Sequence, residues 1–312
     1  MSARRPRTGA QARSTADLEP GLVVAAHGRH VMVETDVGER VLCQTRGKKS
    51  DLVVGDRVRW LPTGDGGVIE QLDERRNLLF RQDEWRTKSF AANLDQLLVL
   101  VAPDPVFSES QLTRALIAAQ SAGIPTTIGL NKVDLPSTPL ARERLQPYRA
   151  MGIPVIELAL KSEAQVALNT LAPLLAGRVT LVLGPSGTGK STLINLVVPQ
   201  AAAQVGEISQ ALHTGRHTTT STKWYWLNKS RQEALIDSPG FQEFGLRQIA
   251  PEKLAGLMPD FEKHLGQCRF HNCTHLHEPG CGVRDAALRG EISPTRQRIY
   301  GELFEELTHK RW

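Results

Sequence analysis

Val179-Thr180-Leu181-Val182-Leu183-Gly184-Pro185-Ser186-Gly187-Thr188-Gly189-Lys190-Ser191 is the run that decides the fold. Its first five residues read as a buried strand, its glycines allow a tight turn, and Ser191-Thr192-Leu193-Ile194-Asn195 opens a helix. The turn fits G-x-x-x-x-G-K-[ST], in which backbone N–H groups at a helix N-terminus cradle phosphates. Gly184, Pro185, Ser186, Gly187, Thr188, Gly189, Lys190, Ser191 and Thr192 are therefore candidate nucleotide contacts. Lys190 is expected to reach the β- and γ-phosphates, and the Ser191 hydroxyl to hold Mg²⁺.

Upstream, Thr126-Thr127-Ile128-Gly129-Leu130 reads as a strand that ends in Asn131-Lys132-Val133-Asp134. This is N-K-x-D, whose carboxylate can accept from guanine N1–H and the 2-amino group. Adenine lacks that pair, so an unmatched carboxylate would reject ATP. In an ordinary GTPase the phosphate loop precedes the guanine reader. Here the order is reversed, as in a circularly permuted GTPase. Downstream, Ala234-Leu235-Ile236-Asp237-Ser238-Pro239-Gly240 is a strand ending in D-x-x-G. Asp237 is expected to hold Mg²⁺ through water, and the Gly240 N–H to face the γ-phosphate. The polar run Gly215–Thr222 between these motifs offers a threonine to the Mg²⁺ shell, and spacing alone does not choose which. Phe241 stands where small GTPases carry a water-orienting glutamine, so intrinsic hydrolysis is expected to be slow, with His217 the candidate helper.

Strand and helix patterns alternate from about residue 93: strands at 96–101, 126–130, 154–158 and 179–183, helices at 108–122, 139–151 and 162–176. That rhythm predicts a parallel sheet with helices on both faces. Before it, short β-rich runs separated by glycines over 20–80 suggest a small barrel of the OB type, a fold that binds RNA on one face. Arg46, Lys48, Lys49, Arg57, Arg59 and Trp60 are the candidate RNA surface. The division expected is a basic disordered tail 1–19, an OB-fold 20–82, an α/β GTPase domain 83–247 and a zinc-binding helical domain 248–312. The last carries an amphipathic helix from Pro294 to Lys310, with Ile299, Leu303, Phe304 and Leu307 on one side.

The 312 residues carry a net charge of +5, which allows an anionic partner such as RNA. No apolar run is long enough to span a membrane, and the N-terminus lacks the apolar stretch of a secretory signal. Of four cysteines, Cys268, Cys273 and Cys281 lie close together among histidines. Such a set fits a Cys₃His zinc site in a reducing, cytoplasmic compartment better than a disulfide framework. His271, His275 and His277 compete for the fourth place, with His264 further off. Lys263, Arg269, Arg284 and Arg289 surround the cluster, as suits RNA phosphates. Cys43 stands alone and reads as a small core residue.

The order N-K-x-D, G-x-x-x-x-G-K-S, G-R-H-T-T-T, D-S-P-G and C-x4-C-x-H-x5-C resembles the bacterial ribosome small-subunit-dependent GTPase A family over about residues 20–308. The resemblance implies an OB-fold, a circularly permuted P-loop GTPase domain and a C-terminal zinc domain. It implies zinc on Cys268, Cys273, His275 and Cys281, Thr219 as the Mg²⁺ threonine and His217 as a catalytic assistant. It further implies GTP hydrolysis in late maturation of the small (30S) ribosomal subunit, with 16S rRNA, GTP and GDP as partners and a monomeric factor. One departure is Leu158-Ala159-Leu160-Lys161-Ser162, where the family has a serine-rich element that touches guanine. The competing reading is a P-loop kinase or ATPase with a structural zinc tail, which the N-K-x-D and D-x-x-G motifs disfavour. A third is an RNA-binding module that holds GTP without hydrolysing it.

Overall fold

The computed structural model describes residues 18–27, 30–46, 51–64, 66–82, 87–198, 222–238 and 246–309. Five strands close the N-terminal barrel: β1 Glu19–His27, β2 His30–Glu34, β3 Arg40–Thr45, β4 Arg57–Thr63 and β5 Gly66–Leu72, in the order β1-β2-β3-β5-β4. Only β3 and β5 pair in parallel, while β4 closes antiparallel onto β1. This is the OB arrangement that the short glycine-punctuated strands predicted. Alternate residues turn inward, so Val23, Val31, Val33, Cys43, Val58 and Trp60 fill the barrel. Trp60 therefore departs from its expected place on an RNA-facing surface. It is 3% exposed and donates its Nε1–H to the Pro20 carbonyl at 3.3 Å, while its neighbours Arg57 and Arg59 face outward. Burial pushes the Cys43 thiol up to about 11, as befits a core residue.

A two-stranded ribbon, β6 Leu78–Gln82 and β7 Thr87–Ala92, links barrel to sheet. The expected boundary at 82/83 falls inside this ribbon. The sheet has six strands in the order β10-β9-β8-β11-β13-β12: β8 Gln96–Val101, β9 Thr126–Asn131, β10 Val155–Leu158, β11 Val179–Leu183, β12 Lys223–Trp226 and β13 Ala234–Asp237. All pairs are parallel except β12 with β13. Every residue of β8 is buried, as a strand covered on both faces requires. Leu97, Val99 and Val101 face α1 Glu109–Ser121 and α2 Thr138–Ala150, whereas Leu98 and Leu100 face α3 Ala164–Leu175 and α4 Lys190–Val197. Ser108 caps α1 by accepting from the Gln111 N–H at 3.3 Å.

Beyond residue 246 come short 3₁₀ turns, the short helices Pro259–Glu262 and Gly282–Leu288, and a final helix Pro294–His309. Ile299, Leu303 and Leu307 of that helix are buried, continuing the core on the α1/α2 face. Arg296 is buried with them, 2% exposed. Its guanidinium makes two bonds to Asp260, at 2.7 and 2.8 Å, and one to Thr113 Oγ1 of α1 at 2.8 Å. It also lies 5.6 Å from the ring centroid of Tyr148 in α2. Burial works against its charge, but Asp260 outweighs that and the Arg296 pKa is raised.

The barrel meets the sheet at edge strand β12. Trp226 donates to Glu34 Oε1 at 2.5 Å, and Arg231 lies 3.8 Å from the same carboxylate. Arg231 also donates to the carbonyls of Asp36 and Val37. Gly38 beside them has φ +88°, a left-handed conformation that strains any L side chain, and a Cβ there would also displace the Arg231 guanidinium.

Candidate functional site: the nucleotide cleft and the cysteine/histidine cluster

Parallel strands deliver their loops to one edge of the sheet, where ligands bind in open α/β folds. β9 ends in Asn131 and β11 in Leu183, so the N-K-x-D segment and the phosphate loop reach the same edge with β8 between them. Asn131 is 3% exposed and joins the two. Its Nδ2 donates to the Thr188 carbonyl at 2.8 Å, and its Oδ1 accepts from the Leu160 N–H at 3.1 Å. Gly189 permits the contact. Its φ is +103°, and a Cβ would stand 2.3 Å from Asn131 Nδ2. Sequence reasoning read Asn131 as a guanine contact and missed this second duty, since its partners lie 29 and 57 residues away.

The cleft so formed has a volume of about 520 Å³, in the range of small-molecule sites. Asp134 and Lys132 line it at one end, with Ser186, Lys190, Ser191 and Thr192 at the phosphate loop. Leu160 and Lys161, from the loop that departs from the family pattern, line it too. Lys132 Nζ donates to the Asp104 carbonyl at 2.7 Å, which sets the lysine across the mouth. Val133 is held through its carbonyl by the Thr138 hydroxyl at 3.1 Å. Pro185 likewise accepts from Thr188 Oγ1 at 2.9 Å.

Lys190 folds over its own loop, donating to the carbonyls of Gly184 and Pro185 at 2.5 and 3.2 Å. Burial lowers its pKa, and Asp237 partly restores it. Asp237 ends β13, beside β11. Burial raises its carboxyl pKa, offset by Lys190 and Lys223. An ammonium and a carboxylate are thus both partly desolvated at the phosphate end, a costly arrangement that a charged ligand and its cation would relieve. His217, Thr219, Gly240 and Phe241 lie outside the described residues.

At the far end of the chain, Cys268, Cys273, His275 and Cys281 bring their ligand atoms within 4.8 Å of one another. Among the described residues this set could hold a metal ion. A tetrahedron with thiolate bonds of about 2.3 Å has edges of roughly 3.7 Å. Here the Sγ atoms of Cys268 and Cys281 each lie 3.5 Å from His275 Nδ1, so the donor set fits. His275 adopts φ +65° to turn its ring inward, whereas His271 and His277 are exposed and His264 pairs with Glu291 at 3.4 Å. Glu278 braces the loop by accepting from the N–H and hydroxyl of Thr274 at 2.8 and 2.6 Å. Burial opposes the charge of Glu278, yet these donors hold its pKa at about 2. Tyr300 of the last helix donates to the Thr274 carbonyl at 2.8 Å. Of the basic residues around the cluster, Arg289 pairs with Glu291, and Arg284 bonds the carbonyls of His277 and Glu278.

The model of the RsgA GTPase family matches residues 72–247, more than half of the chain. The chain belongs to the RsgA GTPase family. It is 59% identical over 315 residues to the small ribosomal subunit biogenesis GTPase RsgA of Variovorax paradoxus, covering 99% of this chain and 98% of that one. With the protein of the same name from Burkholderia pseudomallei it shares 52% over 289 residues, 92% and 91% of the two chains. The structure of YjeQ from Thermotoga maritima superposes with a TM-score of 0.70 at 30% identity, covering 94% of this chain and all of that one. YloQ, described as a circularly permuted GTPase, superposes at 0.69 over 97% and 99% of the two chains, and at 24% identity it speaks for the fold alone. The RsgA family is a GTPase family, so this chain is a GTPase with barrel, permuted GTPase domain and C-terminal cysteine/histidine cluster in that order. No described helix is long and apolar enough to cross a membrane.

Proposed function

We propose that this RsgA-family GTPase hydrolyses GTP to GDP and phosphate while docked on the small (30S) ribosomal subunit, as a late maturation factor that contacts 16S rRNA. The observation that carries the reading is Asn131, whose amide ties the N-K-x-D strand end to the phosphate loop across one cleft. Guanine would lie at Asp134, which accepts from N1–H and the 2-amino group, with Lys132 flanking the ring. The phosphates would lie on the backbone N–H groups of Gly184 to Thr192, where Lys190 exchanges its two carbonyl partners for phosphate oxygens. Ser191, Thr219 and, through water, Asp237 would hold Mg²⁺, which neutralises charge developing on the transferred phosphoryl group. Gly240 would contact the γ-phosphate, and His217 would position the attacking water. Cys268, Cys273, His275 and Cys281 suit a structural zinc ion, because three thiolates and an imidazole at tetrahedral spacing match its preferences. The working units on this reading are a tail 1–19, a barrel 20–82, a GTPase domain 83–247 and a zinc module 248–312, acting as a cytoplasmic monomer.

Phosphate release measured with and without purified small subunits tests the proposal. Stimulation by subunits is expected, and its absence would sink the ribosomal role. Displacement of labelled GDP by ATP as readily as by GTP would favour the kinase or ATPase reading instead. Lys190→Ala should abolish GTP-dependent docking, whereas His217→Ala should lower stimulated turnover at nearly unchanged GTP affinity.

A further inference from the structure

A second cleft, of about 480 Å³, opens onto the cysteine/histidine cluster itself, with Cys268, Cys273 and His275 in its lining. Phe270, His271 and Asn272 form one wall and Tyr300 and Phe304 of the last helix another, with Glu252 also lining it. Phe270 is 41% exposed, and it is the one exposed phenylalanine, tyrosine or tryptophan among the described residues. The other aromatics of the cleft are anchored. Phe304 stacks on Tyr300 at 5.9 Å, and Tyr300 on Phe261 at 4.8 Å, so the back wall is continuous with the core. The metal-ligand loop holds the front wall, and Tyr300 joins the two through Thr274. The guanidinium of Arg269 lies 5.5 Å from the Phe270 ring centroid, and the side chain is exposed with no carboxylate at ion-pair distance among the described residues.

We infer that this cleft is a binding site for a single unstacked RNA base, held between Phe270 and the Phe304 wall with its phosphate on Arg269. The inference rests on the RNA partner of the proposed function and adds a site to it. A rigid aromatic slot accepts the π-face of any base, and a guanidinium beside it meets the adjoining backbone. The Asn272 amide can both donate to and accept from a base edge. Charge thus favours a nucleotide over an apolar peptide side chain, which would leave Arg269 unmatched.

The test uses the full-length, metal-loaded protein and a fluorescein-labelled single-stranded RNA heptamer, alongside the same heptamer with an abasic centre. Anisotropy should show weaker binding of the abasic probe. Phe270→Ala should lose roughly tenfold in affinity for the intact probe, and Phe270→Trp should retain it. Basal GTP hydrolysis and metal content should not change in either variant, which separates this site from the nucleotide cleft. A 5-iodouridine probe should crosslink to the peptide that contains Phe270. Equal binding of both probes, no binding by the unsubstituted protein, or full affinity in Phe270→Ala would overturn the inference. In that last case RNA sits elsewhere, such as the barrel, and the cleft takes a protein side chain. Subunit-stimulated hydrolysis reports separately on the ribosomal role, so the two ideas can fail independently.

Discussion

The sheet is joined to its neighbours by two unlike seams. Toward the barrel, a carboxylate, Glu34, is 5% exposed and gathers Trp226 and Arg231 from the β12–β13 hairpin together with Arg40 from its own barrel. Toward the C-terminal module, a guanidinium, Arg296, is 2% exposed and gathers Asp260, Thr113 and the Tyr148 ring. The first seam touches the edge strand that pairs with the strand ending in Asp237. The second touches α1 and α2, on one face of the sheet. Arg231 remains 33% exposed, so water reaches the first seam, while both partners of the Arg296–Asp260 pair are below 10%. A pair sealed from water is rigid and expensive to break, and one that water reaches can rearrange at low cost. The barrel seam is therefore the one suited to movement.

The largest effect should come from removing the metal that the Cys₃His set is suited to hold, because structural metal binding in small modules contributes about 10 kcal/mol or more. Chelation should unfold the module and with it the Arg296 seam. Three thiols should then react with a thiol reagent at pH 8, while Cys43, raised to about 11 by burial, stays silent. Reaction of all four together would show that the barrel depends on the C-terminal seam. Next, Arg296→Met should cost about 3–5 kcal/mol in denaturant unfolding, since Asp260 is left charged and buried. Adding Asp260→Leu should recover most of that loss, and no recovery would mean that Thr113 and Tyr148 carry the seam. Glu34→Gln should cost only about 1–2 kcal/mol, read from urea unfolding followed by tryptophan fluorescence. A loss as large as that of Arg296→Met would erase the contrast between seams. Smallest of all, the exposed Arg298–Glu302 pair on the last helix should contribute about 0.5 kcal/mol or less, measured by a double-mutant cycle.

These seams also mark where the sequence stops being readable. The strand β8 and the phosphate-loop helix announce themselves within a few residues, because periodicity and turn chemistry are local properties. The apolar stripe of the last helix was equally plain in Ile299, Leu303 and Leu307. Arg296 sits on that same stripe, and a charged residue at a core position was the available signal for a buried partner. Its partners lie 36 and 183 residues away, and no local pattern names them. Trp60 misled for the related reason that its aromatic ring suits a stacking surface and a barrel interior equally well. Only the inward turn of its strand decides. In the cysteine/histidine cluster, three cysteines were clear from spacing, but the histidine needed the turn at His275 that brings its ring to the thiols.

Asn131 holds both loops of the nucleotide cleft in register with two hydrogen bonds. The N-K-x-D segment and the phosphate loop are thereby spliced to one another, so a ligand that spans the cleft would spend little of its affinity on organising them. Fragments of the ligand should cooperate across that splice, guanosine strengthening the hold on pyrophosphate and the reverse. An aspartate at position 131, which cannot donate to Thr188, would uncouple them.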